Sequence, residues 1–187
     1  MNIFILDEDP VKAAKFQCDD HVIKMTLESA QMLCTAHRVL DGSEQSVLSS
    51  NGRRIKKFVF NDDRDFIFYQ AAHINHPCSV WTRVSKENYK WLFQHFSALA
   101  AEYTFRFNKI HKSWKELSAL LKFYPLNIPQ HLLTPYAKAL TLRKPISSNS
   151  IVDIYRQFYQ EKMHRMRFRY TKRLVPNWLL NLTLNPK

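Results

Sequence analysis

The sequence predicts an all-α, or mostly α, fold in one compact domain, with a short extended segment at its N-terminus. The chain has 187 residues, of which 45% are apolar, and this is enough for one sizeable core. Only two glycines occur, which is too few for a glycine-turned β-sandwich or a glycine-rich phosphate loop. Apolar residues recur at helical spacing over several stretches, and four of the eight prolines crowd between residues 125 and 145. Long helices are therefore expected on both sides of a proline-rich connection.

The first third of the chain predicts an extended leader and two helices. Residues 2–6 are mostly apolar and long enough for one strand or an extended leader. Asp9 before a proline is typical of a helix N-cap, so a short helix is expected over 10–16. A second, long helix is expected over 20–40, because Gly42 follows it as a natural C-terminal stop.

The rest of the chain, all of it within a single domain over 1–187, predicts a loop and two more long helices. Residues 43–63 are polar and mixed, and we expect them to form a loop insertion with a turn at Asn51-Gly52. Apolar residues at helical spacing predict the central core helix over 85–107. A Ser-x-x-Asp capping box then opens a last helix over 150–169.

The helix over 20–40 carries a polar stripe on an otherwise apolar circumference. At about 100° per residue, six polar side chains fall within an arc of about 100°. They are His21, Lys24, Glu28, Gln31, Thr35 and Arg38. Buried ionisable groups are costly unless they are paired, so a continuous polar groove along a buried helix is a candidate active site. The plainer alternative is a solvated ion pair between Lys24 and Glu28, with His21 as an ordinary surface histidine.

A second cluster of chemically versatile side chains contains His73, His76 and Cys78. Their spacing could supply three zinc ligands, but structural zinc sites need four, and the other cysteines, Cys18 and Cys34, are far away in sequence. We therefore expect no metal and no cofactor. We expect His76 and the proline after it to end a segment and to turn the histidines towards the groove or a phosphate. Three cysteines without CxxC spacing are typical of free thiols in a reducing cytosol.

The charge distribution is strongly asymmetric and favours a polyanionic partner. The chain carries 28 Lys and Arg against 16 Asp and Glu, a formal net charge of +12, and nine bases against two acids lie between residues 143 and 173. Such a field is typical of a phosphate-backbone binder, and a solvated basic helix face is the plainer alternative. No apolar stretch approaches the ~20 residues of a membrane span, so no membrane is expected. The candidate nucleic-acid contacts are Arg38, His73, His76, Arg83, Arg143, Lys144, Arg165, Arg167, Arg169, Lys172 and Arg173.

Three segments together resemble the pyrimidine-dimer DNA glycosylase (endonuclease V) family of phages and bacteria. Residues 20–28, with His21 and Glu28 seven residues apart, are similar to the family's helix that carries a histidine and the catalytic glutamate. Asn75-His76-Pro77 before a long helix is similar to a motif of bacterial members, and the basic, aromatic run 161–178 resembles their C-terminal part. The pattern is also similar to a group of tailed-phage proteins that begin with an N-I-F-x-L-D leader.

The resemblance implies an all-α enzyme that binds duplex DNA, flips a base out of the stack and removes it, with AP-lyase activity as a further expectation. In the family, the amine of residue 2 attacks the sugar after the initiator methionine is removed, and Glu28 matches the glutamate that assists proton transfer. Residue 2 here is Asn, so the available nucleophile is the amine of Met1, one residue displaced, or Lys24. His21 completes the expected catalytic set.

Two other functions stay open on the sequence. A non-catalytic DNA- or RNA-binding protein of the same fold would carry the same charges, and a phage transferase that modifies bases would use the same polar groove. The acidic N-terminus lacks the basic start of a secretory signal, so we expect a cytoplasmic protein, in the host cytoplasm if it is phage-encoded. A monomer is expected.

Overall fold

The computed structural model describes residues 1–144, 146–163 and 165–180, and over these ranges the chain forms eight helices and one antiparallel hairpin. The elements are α1 (Pro10–Lys15), α2 (Asp19–Asp41), β1 (Ser43–Leu48), β2 (Arg54–Val59), α3 (Arg64–Ile67), α4 (Pro77–Val84), α5 (Lys86–Phe107), α6 (Lys112–Leu121), α7 (Ile151–Met163) and α8 (Asn177–Leu180). Between α6 and α7 the described residues form no helix or strand, as the prolines predict. The mostly helical prediction is confirmed, whereas a purely all-α fold is wrong because of the hairpin.

Helices α2 and α5 pack against each other at the centre of the molecule, and α4 and α6 contact both of them. Both long helices lie close to their predicted bounds. Ser85 caps α5, because its hydroxyl accepts backbone N–H groups of the first turn. Gly42 ends α2, and a Cβ at this position would lie 2.5 Å from the carbonyl oxygen of Arg38, so only glycine fits. None of the described helices is long and apolar enough to cross a membrane.

Residues 1–5 form no helix or strand, the chain turns at Phe4 instead of running fully extended as predicted, and residues 3–6 are buried. Asn2 shapes its start, because the side-chain oxygen accepts the N–H of Phe4 at 2.9 Å and the side-chain amide donates to the carbonyl of Ala139 at 3.0 Å. Phe4 has φ 55°, in the left-handed region that a bulky residue adopts only where its surroundings fix it. Its ring packs against aromatic rings of α2 and α7, so these two helices hold the segment in place.

The predicted loop insertion at 43–63 is instead a hairpin that leads into the short helix α3. The two strands pair antiparallel over six residues each, and the predicted turn at Asn51-Gly52 joins them, with Gly52 at φ 76°. Both strands are mostly polar and exposed, so their alternation gives no hydrophobic signal. The loop prediction is wrong for this reason.

The last long helix ends earlier than predicted, at Met163, and residues 165–170 are not helical. In this stretch the side chains alternate between solvent and core. The arginines are exposed, and the intervening residues Met166, Phe168 and Tyr170 pack against the core. Alternation with a period of two is typical of an extended chain, so the helix prediction over 165–169 is wrong.

Candidate active site

Glu28 lies where α2 meets the N-terminal segment, and its side chain is 11% exposed. One carboxylate oxygen, Oε2, accepts the backbone N–H of Asn2 at 2.9 Å and lies 3.9 Å from the amine of Met1. The other, Oε1, lies 3.5 Å from Nζ of Lys24, which stands one turn earlier on α2. The structure therefore brings three of the four predicted catalytic residues together around one buried carboxylate.

The two amines beside Glu28 differ in exposure. The Lys24 side chain is 66% exposed, so its ion pair with Glu28 is largely solvated. The Met1 side chain is 2% exposed, and its sulfur accepts a hydrogen bond from the hydroxyl of Ser79 at 3.2 Å. The first residue is therefore packed like a core residue, and its amine faces the carboxylate.

His21, the fourth predicted catalytic residue, is buried among aromatic rings. It stacks on Phe4 with ring centres 4.6 Å apart, and its Nδ1 lies 2.7 Å from the hydroxyl of Tyr159. That hydroxyl also accepts the backbone N–H of Cys18 at 2.8 Å, and the sulfur of Cys18 lies 3.4 Å from Nδ1. Burial lowers the pKa of His21 to about 3, and the positive charges of two nearby lysines act in the same direction. A neutral His21 holds the N-terminal segment and does not act as a cation.

The predicted histidine pair lies near the same carboxylate. His76 caps α4, because its Nδ1 accepts a backbone N–H of the first turn at 3.2 Å, so this residue begins a helix where the end of a segment was predicted. Burial lowers the pKa of His76, the positive charges of the Met1 amine and His73 lower it further, and the Glu28 carboxylate opposes them. His73 is exposed with φ 48°, a second strained backbone position beside the site.

Lys162 of α7 is a site residue that the sequence analysis missed. Its Nζ lies 5.7 Å from the ring centre of Phe4 and 5.3 Å from that of Phe158. Burial lowers the pKa of Lys162, neighbouring cations lower it further, and Glu28 acts in the opposite direction. The available signal is the spacing, since Phe158 and Lys162 are four residues apart and share one face of α7.

Two predicted nucleic-acid contacts are arginines with structural partners. Arg38 is 0% exposed, and its guanidinium donates to four backbone carbonyls between residues 58 and 69 and to the carboxylate of Asp65 at 2.6 Å. It ties the hairpin and α3 to α2, and its predicted phosphate contact is wrong because the guanidinium does not reach solvent. Arg83 is half-buried and donates to the carbonyl of Ile74 at 2.7 Å, which supports the loop with the histidine pair.

The other basic candidates fall into two groups. Lys172 and Arg173 are engaged, the first by a backbone carbonyl of α5 at 2.8 Å and the second by two hydrogen bonds to a buried glutamate of α5 at 2.6 and 3.0 Å. Five side chains are exposed and form no hydrogen bond or ion pair within the described residues: Arg143, Lys144, Arg165, Arg167 and Arg169. The last three, which we call the free arginine row, begin next to Lys162 of the site. Three causes lower the pKa of Lys162: burial has the largest effect, the charge of Lys24 comes second, and the charge of Arg165 comes third.

The cysteines form no second reactive centre. Cys18, Cys34 and Cys78 are free and buried, as the free-thiol prediction requires. Burial raises the pKa of Cys34 and of Cys78 to about 12, so neither supplies a thiolate at neutral pH. Over the described ranges, no three His, Cys, Asp or Glu side chains lie close enough together to hold a metal ion.

Comparison of the chain with protein-family models, with curated proteins and with solved structures finds no match. The resemblance to the pyrimidine-dimer glycosylases therefore stays a prediction that depends on the residues quoted above. Function has to be argued from the geometry and charges of the Glu28 site.

Proposed function

We propose that the chain is a DNA-binding enzyme that removes a damaged or modified pyrimidine base, that is, a DNA glycosylase with associated AP-lyase activity. One observation carries the proposal: the buried carboxylate of Glu28 faces the α-amine of Met1 at 3.9 Å. The charges of Glu28 and of Arg165, the first member of the free arginine row, both act on Lys162. A carboxylate next to an amine of low intrinsic pKa is the pairing that imine chemistry needs. Unpaired arginines supply the charge that binds phosphates.

In the proposed reaction, the neutral α-amine of Met1 attacks C1′ of the flipped nucleotide. The bond between C1′ and the base breaks, and the base leaves with its electron pair and takes up a proton. The ring oxygen then leaves C1′ and is protonated, and a C=N bond forms between C1′ and the amine. Glu28 accepts a proton from the attacking amine and passes it to the departing ring oxygen, while water protonates the released base, and the regenerated carboxylate then stabilises the protonated imine by its negative charge. Loss of a C2′ proton and departure of the 3′ phosphate complete the lyase step.

Three amines near Glu28 differ in their burial. The Met1 amine is favoured as the nucleophile, because it faces the buried carboxylate at 3.9 Å and its residue has a side chain only 2% exposed. Lys162 follows it, because burial first and neighbouring cations second lower its pKa. Lys24 is largely exposed and comes last. Removal of Met1 would turn the Asn2 nitrogen, 2.9 Å from Glu28, into the α-amine, so the pairing exists with either N-terminus.

Borohydride trapping tests the proposal, because borohydride reduces an imine to a stable covalent bond. We expect a protein–DNA adduct and free base with at least one duplex from a panel of single pyrimidine lesions and modified pyrimidines. Mass spectrometry of the adduct should locate the DNA on the N-terminal residue, and a location on Lys162 or Lys24 would transfer the role to that amine. Absence of both adduct and base release across the panel would refute the glycosylase. Altered bases that stay in the DNA would show a base-modifying transferase.

A non-catalytic DNA-binding protein is the second candidate, and one observation favours it. Glu28 accepts the Asn2 N–H, and the Asn2 side chain is itself bonded to Phe4 and Ala139, so the carboxylate also anchors the N-terminal segment. Under this alternative, Glu28→Gln binds DNA as the wild type does, and neither the wild type nor the variant releases base. Under the first proposal, the same variant binds DNA and no longer releases base.

A further inference from the structure

We propose that the β1–β2 hairpin is a second DNA-binding element, a basic arm that contacts the phosphate backbone several base pairs from the target base. The inference rests on the proposed function, because it requires a duplex bound over Glu28. Three observations support the proposal: the charge of the hairpin, its shape, and the place where its two strands are attached to α2.

The hairpin presents unpaired positive charge to solvent. Four Lys and Arg but no Asp or Glu occur from residue 45 to residue 61. Glu44, the one acidic residue of the two strands, pairs with Lys56 at 2.8 Å. Arg53 and Arg54 are exposed, and neither side chain forms a hydrogen bond or ion pair within the described part of the chain. Guanidinium groups without an acidic neighbour are available for phosphate oxygens.

The shape of the hairpin suits a groove or backbone of duplex DNA. Each strand has six residues, about 20 Å at ~3.3 Å per residue, and a two-stranded ribbon is narrow enough to enter the major groove. The turn over 49–53 consists of Ser, Ser, Asn, Gly and Arg, so its tip is small and polar. The turn is fixed internally, because the Ser49 hydroxyl donates to the Arg53 carbonyl at 2.8 Å.

The end of the hairpin opposite its turn is hydrogen-bonded to the helix that carries Glu28. Arg38 donates to the carbonyl of Phe58 at 2.7 Å, and it stands ten residues after Glu28, about 15 Å along the axis of α2. The hairpin then runs beside residues 70–71, across a cleft of about 400 Å³ that is lined by apolar side chains of both strands and by two lysines of β2. At ~3.4 Å per base pair, 15 Å is about four to five base pairs. For a duplex whose axis follows α2 and whose target base lies over Glu28, an arm anchored there meets the flank of that duplex.

The test is a charge-removal variant, Arg53→Ala/Arg54→Ala, in the full chain. Binding to a duplex of about 24 base pairs is measured by fluorescence anisotropy over a range of salt concentrations. The matched control is Lys109→Ala/Lys115→Ala, which removes two exposed lysines without side-chain partners near the α5–α6 corner. We expect the arm variant to flatten the slope of log K against log[salt] by up to about 2 and to weaken binding at 0.15 M salt by up to roughly 30-fold. The control should do neither.

A second measurement shortens the duplex on one side of the target at a time. Wild-type binding should weaken when the flank under the arm is removed, and the arm variant should be insensitive to that removal. An unchanged slope and an unchanged response to duplex length in the variant would overturn the arm, as would equal losses in the control.

Base release scored on the same samples separates this inference from the proposed function. Base release together with an unchanged slope overturns the arm and leaves the glycosylase. A flattened slope without any base release supports the arm and refutes the glycosylase. A wild-type chain that binds an acidic protein but no duplex overturns both.

Discussion

Glu28 and Glu102 are both buried glutamates on the two central helices, and each has a basic residue one turn away on its own helix. Glu102 accepts hydrogen bonds from Nε of Arg106 at 3.0 Å and from two nitrogens of Arg173 at 2.6 and 3.0 Å. Glu28 accepts one backbone N–H at 2.9 Å and faces two amines at 3.5 and 3.9 Å. Planar guanidinium groups saturate the first carboxylate, whereas the second has room for a further donor.

The difference separates a carboxylate that holds the fold together from one that is available for chemistry. Arg106 also donates to Asp19 at 3.2 Å, and the hydroxyl of Thr171 donates to the same carboxylate at 2.8 Å. The Glu102 cluster thereby joins the start of α2, the end of α5 and the C-terminal segment. The amines beside Glu28 are single-point donors, which hold a carboxylate less rigidly than a bidentate guanidinium does.

Arg106→Ala should have the largest effect on stability, because it removes one of the two guanidinium partners of buried Glu102 and the ion-pair partner of buried Asp19. We expect the free energy of unfolding to fall by about 3–5 kcal/mol in urea titrations. Lys90→Ala is the control, since Lys90 forms an exposed i,i+3 pair with Glu87 and should change little. Equal losses in both variants would show that the Glu102 cluster is not structural.

Glu28→Gln should spare the fold and remove the reaction. The amide oxygen still accepts the Asn2 N–H, so we expect a stability change below about 1 kcal/mol. Without the proton acceptor, the single-turnover rate of base release should fall about 10²–10⁴-fold, with DNA affinity unchanged or higher. Glu87→Gln removes the same charge from an exposed position and should keep full activity, and a Glu28→Gln rate equal to it would contradict the assigned role.

Mild acid should distinguish the surroundings of the two carboxylates. The pKa of His21 lies near 3 in the folded chain and near 6.5 when unfolded, so the unfolded chain binds more protons between these values. The stability that neutral His21 contributes is complete above pH 6.5 and is lost as the pH falls towards 3, at up to about 1.4 kcal/mol per pH unit. Burial raises the pKa of Glu102, but hydrogen bonds from Arg173 and Arg106 outweigh it and the net pKa is lowered, so its cluster persists through this window.

The measurement is the free energy of unfolding as a function of pH for the wild type and His21→Gln. The variant should show a flatter curve between pH 6.5 and 4.5, and parallel curves would contradict a buried neutral His21. His95→Gln is the control, because burial also lowers the pKa of His95 to about 4. His95→Gln should also reduce the dependence of the free energy of unfolding on pH, but it should leave the rate of base release unchanged.

Arg167→Ala/Arg169→Ala should have the smallest effect on stability, because these side chains belong to the free arginine row. We expect an unchanged melting temperature and a slope of log K against log[salt] for duplex DNA that is flatter by up to about 2. Lys172→Ala/Arg173→Ala removes the same charge from engaged side chains and should lower stability, since it exposes one side of Glu102. If the first variant unfolds or keeps its slope, the free arginines are not the phosphate contacts.

Sequence patterns predicted the parts of the molecule in which local periodicity and burial agree. The polar stripe on α2 predicted Lys24 and Glu28 at the site, because a helix of that length fixes which side chains share a face. Arg38 belongs to the same stripe and is buried, because its acceptors lie 20 to 31 residues further along the chain. No local pattern contains that information.

Two errors had a readable signal. The segment Arg-Met-Arg-Phe-Arg-Tyr over 165–170 alternates with a period of two, which favours an extended chain over the predicted helix. Asn51-Gly52 between two equal runs is typical of a hairpin, although the polar strands hide the alternation. The roles of Lys162 and Tyr159 in the site depend on tertiary packing against Phe4, and the spacing of Phe158 and Lys162 shows a shared helix face but not what packs against it.

The docking of the N-terminal segment determines when the site can form during synthesis. Asn2 bonds to a carbonyl 137 residues later, and Arg156 donates to the carbonyl of Leu6 across 150 residues. Contacts of such sequence separation form only after most of the chain has left the ribosome. The first residues to be translated are thus among the last to find their partners. The hairpin, by contrast, is bonded to α2 across only 20 residues, so a nascent chain can complete it well before the amine–carboxylate pair.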